Sequence, residues 1–349
     1  MKKLLMVLVA FVAVVSLTAC GKKEYKLGMG VVVSTESSVN ASTAQIDATV
    51  AAVVTDAEGK IVACRLDAVQ NKITVTAEGA VTVPATFKTK MELGDDYNMA
   101  KYGQSMDWNK DGVVKEWYDQ AKAFEAHVVG MTAAEVKAMA TQVVEGAGYV
   151  ISADEALLAA GCTIQITDFK AAVAAACEDA QGTTFTTSKD FTVGVAASSF
   201  DDGSTNATAE AAGSVLVYSD FAASVVVDGK IVASLNDAIQ PKFAVSATGE
   251  LTATYVNTKR GLLEGYNMAK YGANMDPNND GVVKEWYEQS AAFSTHVVGM
   301  TGEEVAAMET AINSIGFQMT TDADLLAAGC TIQITGLKAI VAKSVSNAR

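Results

Sequence analysis

Leu157-Leu-Ala-Ala-Gly-Cys-Thr-Ile-Gln-Ile-Thr167 recurs letter for letter as Leu325–Thr335, and this identity is the strongest fragment of a duplication that spans the chain. Asp56–Ala77 aligns with Val226–Ala247, and Ala133–Met139 with Gly302–Met308. Tyr97–Tyr118 matches Tyr266–Tyr287 at 18 of 22 positions. A period near 169 residues is too long for a solenoid unit, so the chain is expected to form two homologous units in tandem, each long enough to bury a core.

The front of each copy is rich in Val, Thr and Ile with alternating polarity: Gln45–Val54, a turn at Asp56–Gly59, Lys60–Leu66, then Lys72–Thr76. The second copy repeats this in Val215–Val226, an Asp228-Gly229 turn and Lys230–Leu235. Both read as antiparallel meanders. After Met91 the period changes to that of a helix. Trp117, Ala121, Phe124 and Val128 share one face, Thr132 with Glu135 forms a capping box for a helix over Ala133–Glu145, and a final helix covers Asp168–Glu178. Thr163–Ile166 alternates as a short strand. The expected class is α+β, each copy an antiparallel meander packed with helices, with copy one at 29–182 and copy two at 183–349.

Ahead of the copies lie Lys2-Lys3, an apolar run Leu4–Leu17 and Leu17-Thr-Ala-Cys20-Gly21. The run is shorter than the roughly 20 residues of a membrane span, and the segment reads as a lipoprotein signal peptide of residues 1–20. Cys20 is the expected lipidation site, with 21–28 as a tether, which puts the protein on the extracytoplasmic face of the cytoplasmic membrane. A net charge of −14 argues against nucleic acid as a partner.

Of the remaining cysteines, Cys64 faces Ser234 of the second copy and Cys177 has no cysteine opposite it, so only a Cys64–Cys177 bridge within the first copy stays open. Cys162 and Cys330 read as small buried residues. His127 and His296, the two histidines, sit near helix C-termini, where a cation is favoured, and are too few for a zinc site or a catalytic triad.

Two elements carry candidate chemistry. Gly161-Cys162-Thr163 and Gly329-Cys330-Thr331 set a hydroxyl on a tight turn beside a helix start, which suits a phosphate; the alternative is a glycine turn with a buried threonine. Asp107, Asn109 and Asp111, echoed by Asp276, Asn278 and Asp280, occupy positions 1, 3 and 5 of a calcium-type loop with Gly112 or Gly281 at position 6. Tyr118 and Tyr287 stand at position 12, so Glu116 or Asp119, and Glu285 or Glu288, would have to complete a Ca2+ shell; the alternative is an Asx-rich turn. Trp117-Tyr118 and Trp286-Tyr287, with Tyr97, Met99 and Tyr102 and their counterparts Tyr266, Met268 and Tyr271, are either core or the lining of a flavin pocket.

The order of these features resembles the FMN-binding domain family, through Gly59-Lys60-Ile61, Val128-Val-Gly-Met-Thr132 and the threonine element. It is most similar to the duplicated flavin-bearing lipoproteins of Gram-positive extracellular electron transfer, which also carry segments like Lys115-Glu-Trp-Tyr118 and Lys284-Glu-Trp-Tyr287. The resemblance implies an electron carrier with FMN attached covalently at Thr163 and Thr331 by a flavin transferase and fed by a membrane quinol-linked redox partner. Ala160 and Ala328 stand where the family carries serine, and Cys162 and Cys330 where it carries alanine. The other class the sequence allows is a non-catalytic surface lipoprotein that binds a ligand or partner.

Overall fold

The computed structural model describes residues 21–107, 112–144, 149–254, 256–276, 281–313 and 316–349. The expected signal peptide, residues 1–20 with Cys20, lies outside them.

In the first copy, β1 (Lys23–Ser34), β2 (Thr43–Asp56), β3 (Ile61–Val75) and β4 (Val81–Thr82) form an antiparallel meander. There follow α1 (Lys90–Leu93), two 3-10 turns over Gly94–Tyr97 and Met99–Met106, α2 (Trp117–His127), α3 (Ala133–Ala138), a hairpin of β5 (Thr141–Val143) and β6 (Val150–Ser152), α4 (Glu155–Ala159) and α5 (Thr167–Cys177). β7 (Thr183–Thr187) then returns to pair with β1, so the first sheet runs β4-β3-β2-β1-β7. The second copy repeats the plan with β8 (Thr192–Asp201), β9 (Gly213–Val227), β10 (Lys230–Ile239), β11 (Lys242–Val245) and β12 (Leu251–Thr254). Its helical part is α6 (Lys259–Leu262), α7 (Trp286–His296), α8 (Gly302–Ala306), the hairpin β13 (Thr310–Ile312) and β14 (Gln318–Thr320), α9 (Ala323–Ala327) and α10 (Thr335–Ser346). The class is α+β, as expected.

Several boundaries differ from the sequence reading. Residues 23–28, expected as a tether, are the first half of β1, with Leu27 fully buried against Val54. β3 is one strand rather than two, because Asp67 and Asn71 inside it are buried and find partners. Its counterpart splits into β10 and β11 at Pro241, which has no N–H for the ladder. The helix after Thr132 stops at Ala138, and the chain turns into β5. Thr163–Ile166 is not a strand but an irregular link between α4 and α5. β7, assigned by sequence to the second copy, completes the sheet of the first.

The two sheets stack face to face. Alternate residues of β1–β3 (Met29, Val50, Ala52, Val54, Val69) and of β8–β10 (Val195, Phe221, Ala223, Val225, Leu235) meet in one shared core. The opposite faces carry the helices: Val53, Leu66 and Ala68 pack on Phe124, Phe169 and Val173, while Ala196, Ala222 and Ala238 pack on Phe293, Leu337 and Val341. The layers are therefore helix, sheet, sheet, helix. Sheet strands buried on both faces explain the nearly unbroken burial of β2 and β9. Gly28 and Gly194 let the helices approach closely, since a Cβ at either would lie 1.9 or 1.8 Å from a helix carbonyl oxygen, that of Ala176 or Ser344.

Contacts between the copies are reciprocal. Val81 N–H donates to Asn206 Oδ1 at 2.7 Å and Leu251 N–H to Asn40 Oδ1 at 3.0 Å; Ala41 N–H meets Gly249 O while Ala207 N–H meets Gly79 O. Ion pairs add to this: Arg260 with Asp179 at 2.8 Å, Lys343 with Glu92 at 2.7 Å and Arg349 with Glu125 at 2.7 Å.

Candidate functional site

On the helical side of each sheet lies a cavity, about 500 Å3 in the first copy and about 270 Å3 in the second, walled by equivalent residues. Lys90, Tyr97, Met99, Tyr102 and Trp117 in one become Lys259, Tyr266, Met268, Tyr271 and Trp286 in the other. The lysine is the first residue of a short helix that Thr89 or Thr258 caps. A buried carboxylate fixes that helix start: Asp67 Oδ1 accepts from Met91 N–H at 3.2 Å, and Asp237 Oδ1 from Arg260 N–H at 3.0 Å. Burial pushes both Asp67 and Asp237 up to about 6.

Each lysine ammonium lies on ring faces. Lys90 Nζ is 5.2 Å from the Tyr97 ring centre and 5.6 Å from that of Trp117. Lys259 Nζ stands 4.3 Å from Tyr218, 5.0 Å from Tyr266 and 6.0 Å from Trp286. Burial lowers both lysines, Lys259 to about 8. The tyrosines are paired by their hydroxyls, Tyr97 with Tyr102 at 3.3 Å and Tyr266 with Tyr271 at 3.4 Å. Trp117 and Trp286 serve both as core and as cavity wall.

The carboxylates facing the lysines differ between the copies. In the first, Asp47 on β2 and Asp168 on α5 line the cavity with Glu36. In the second, Tyr218 and Gly336 replace Asp47 and Asp168, and Asp220 on β9 takes the place of Thr49. Asp220 is 5% exposed, and burial pushes it up to about 7 against the pull of Lys259.

The threonine element is built the same way twice. α4 ends at Gly161 (φ +88°), Lys115 Nζ caps the Ala160 carbonyl at 2.8 Å, and Gln120 Oε1 accepts from Thr163 N–H at 2.7 Å, Ile164 N–H at 3.0 Å and Thr163 Oγ1 at 3.3 Å. Gly329 (φ +82°), Lys284 on Ala328 O, and Gln289 on Thr331 and Ile332 repeat each contact. Thr163 and Thr331 are 5% and 2% exposed and sit behind the cavity wall; Ile164 and Gln165, and Ile332 and Gln333, line it. Cys162 and Cys330 are fully buried, and burial raises their thiols to about 12, so neither is a nucleophile at neutral pH.

This arrangement does not fit a phosphoester of FMN at either threonine. The hydroxyl is buried and donates inward to Gln120 or Gln289. Among the described residues that line the cavities, carboxylates outnumber cations, Glu36, Asp47 and Asp168 against Lys90, and Asp202 and Asp220 against Lys259, with Lys101 and Lys270 set on the Tyr97 and Tyr266 rings, so a phosphate dianion would meet like charge in the lining.

Asp107 Oδ2 accepts from Gly112 N–H at 2.8 Å and Asp276 Oδ2 from Gly281 N–H at 2.7 Å. Asn109, Asp111, Asn278 and Asp280 lie outside the described residues. Glu116, a candidate to close the Ca2+ shell, is turned to Met99 N–H at 3.0 Å, and Glu285 to Met268 N–H at 2.9 Å. Among the described residues no group of three or more His, Cys, Asp or Glu side chains is placed to hold a metal. Cys64 and Cys177 are free thiols, so the bridge that the sequence left open is not formed. His127 and His296 end α2 and α7 and face Asp154 and Asp322 at 3.6 Å. No helix among the described residues is long and apolar enough to cross a membrane.

Tyr97, Met99, Tyr102 and Trp117 were visible in the sequence as possible pocket residues, and the structure brings them together. Lys90, Lys259, Asp220, Gln120 and Gln289 were not singled out. The signal that could have found most of them is the duplication itself, which repeats Thr-Lys at 89–90 and 258–259 and Gln at 120 and 289. No protein family, characterised protein or solved structure matches the chain.

Proposed function

We propose that this chain is a two-site binding protein, a lipid-anchored extracytoplasmic lipoprotein that holds a small organic ligand in a cavity on each copy. The observation that carries this reading is the repeated cavity with a buried lysine set on an aromatic wall. Among the described residues that line the cavities no nucleophile is paired with a base, and what the side chains there support is binding.

An electron carrier with FMN on Thr163 and Thr331 is the second reading, and what supports it is that the residues directly after each threonine wall the cavity in both copies. It requires Gln120 and Gln289 to release the hydroxyls into the cavity. Mass spectrometry of the protein from a secreting host with a flavin transferase separates the two. A mass increment seen under native conditions and lost on denaturation supports ligand binding; FMN minus water retained on the Thr163 and Thr331 peptides supports the carrier. A bare protein that no organic probe stabilises against heat overturns the binding reading.

A further inference from the structure

Lys259 and Asp220 share an environment that is costly unless something joins them. They are 6% and 5% exposed, both line the second cavity, and neither makes a hydrogen bond or ion pair with another described residue. Both residues are largely withdrawn from water with their charged ends open to the cavity, so each carries a desolvation penalty, which the Tyr218, Tyr266 and Trp286 ring faces offset for Lys259 alone. Their mutual attraction is present but acts without contact. The cavity between them, about 270 Å3, is walled by Phe200, Tyr218, Tyr266, Tyr271 and Phe317.

The fold makes room for this pair. The residue equivalent to Asp168 is Gly336, and a Cβ there would stand 2.5 Å from Asp220 Oδ2. A glycine on α10 and a carboxylate on β9 are thus matched, so the second cavity has no helix carboxylate equivalent to Asp168 and carries Asp220 on its sheet wall where the first carries Thr49.

From this geometry we infer that the second cavity takes a small zwitterion of the α-amino acid type, its carboxylate on Lys259, its ammonium on Asp220 and its apolar side chain among the aromatic rings. A ligand with an anionic group alone would set Asp220 against it, and one with an amine alone would meet Lys259. A molecule with both charges gives each buried group a partner at once. The inference rests on the binding-protein reading above and names the ligand class for one of its two sites.

The experiment is a thermal-shift screen of the full chain with each of the twenty proteinogenic amino acids, followed by calorimetric titration of the best one. Its deaminated acid and decarboxylated amine are titrated alongside. The expected result is that the amino acid binds at least tenfold more tightly than either single-charge analogue. Lys259→Met and Asp220→Asn should each weaken it tenfold or more with the fold intact by circular dichroism, and Lys259→Arg should recover part of the loss. The inference is overturned if no amino acid binds, if an analogue binds equally well, or if both variants bind like the parent chain. Binding of an analogue or of another organic probe without any amino acid leaves the two-site reading standing and removes the zwitterion; a protein that no organic probe stabilises removes both.

Discussion

Gly336 and Asp220 are fitted to each other across the second cavity: the glycine's missing Cβ is the space that Asp220 Oδ2 fills, 2.5 Å from where that carbon would be. Asp220 is a short side chain on a strand held by neighbours on both sides, so it has little freedom to retreat. Gly336→Ala is expected to cost about 1–3 kcal/mol through overpacking, read as a lower Tm, although the same change would normally favour a helix. Combining it with Asp220→Ala should recover most of that loss. An unchanged Tm in the single variant would refute the fit.

Stability should peak on the acid side of neutral. Burial raises Asp67 and Asp237 to about 6 and Asp220 to about 7, all above their usual 3.8. Such groups favour the folded state while protonated, a contribution that is full below the unfolded value and lost as pH rises through the folded one. Glu92 is held low, chiefly by Lys343 and Thr89 acting against its burial, and its contribution is lost in the opposite direction as pH falls below the usual 4.5. Chemical denaturation across pH 3–8 is expected to give a maximum near about pH 4, where the loss of the aspartate contribution begins and that of Glu92 has not gone far, and Asp220→Asn should flatten the decline from there toward pH 7.

Gln120 serves three donors with one oxygen, Thr163 N–H, Ile164 N–H and the Thr163 hydroxyl, while its own amide donates to Lys115 O at 2.7 Å. Gln120→Leu keeps the volume and strands these groups, so an equilibrium unfolding loss of about 2–3 kcal/mol is expected. Gln289→Leu should cost a similar amount, because Thr331 and Ile332 depend on it in the same way.

Much of the sheet architecture could be read from the residues, because Val/Thr/Ile alternation and the Asp228-Gly229 turn are local signals. β1 was hidden because Lys23–Gly28 directly follows the segment that the sequence reads as a signal peptide and itself reads as a tether; its pairing with β2 and β7 shows that it belongs to the sheet. Asp67 and Asn71 look like interruptions in sequence, but each bonds a group distant in the chain, Asp67 accepting from Met91 N–H and Asn71 Nδ2 donating to Ser199. The threonine element was legible as a tight turn, and Gly161 confirms that part with its positive φ. That the hydroxyl faces inward depends on Gln120, 43 residues earlier, which no local pattern reveals. The exchange of Asp168 and Thr49 for Gly336 and Asp220 was invisible for the same reason, since strand and helix meet only in the fold.

Arg260 and Asp179 form the most enclosed ion pair between the copies, with side chains 8% and 9% exposed, and Asp179 also accepts from Met29 N–H at 3.1 Å. Arg260→Ala leaves that carboxylate buried without its cation, and a loss of about 3 kcal/mol is expected by equilibrium denaturation. Adding Asp179→Ala should return part of it; a double variant no better than the single would show that Met29 N–H depends on the carboxylate more than Arg260 does.

Separated copies should not remain monomeric. A chain ending after β7, residues 21–190, keeps its helices but uncovers the inner faces of β1–β3, including Val50, Ala52 and Val54. Light scattering on that fragment is expected to show dimers or larger species, and a folded monomer would contradict the shared core.

The reciprocal contacts, Asn206 with Val81 against Asn40 with Leu251, are those of a two-fold interface in which each partner offers the other the same patch. Here both partners are one polypeptide. Joining them freed the two cavities from having to be identical: in a symmetric dimer Gly336 and Asp220 could not coexist with Asp168 and Thr49. Linkage lets one site diverge while the other keeps the older or simply different chemistry, and the assembly that covers both sheets no longer depends on protein concentration.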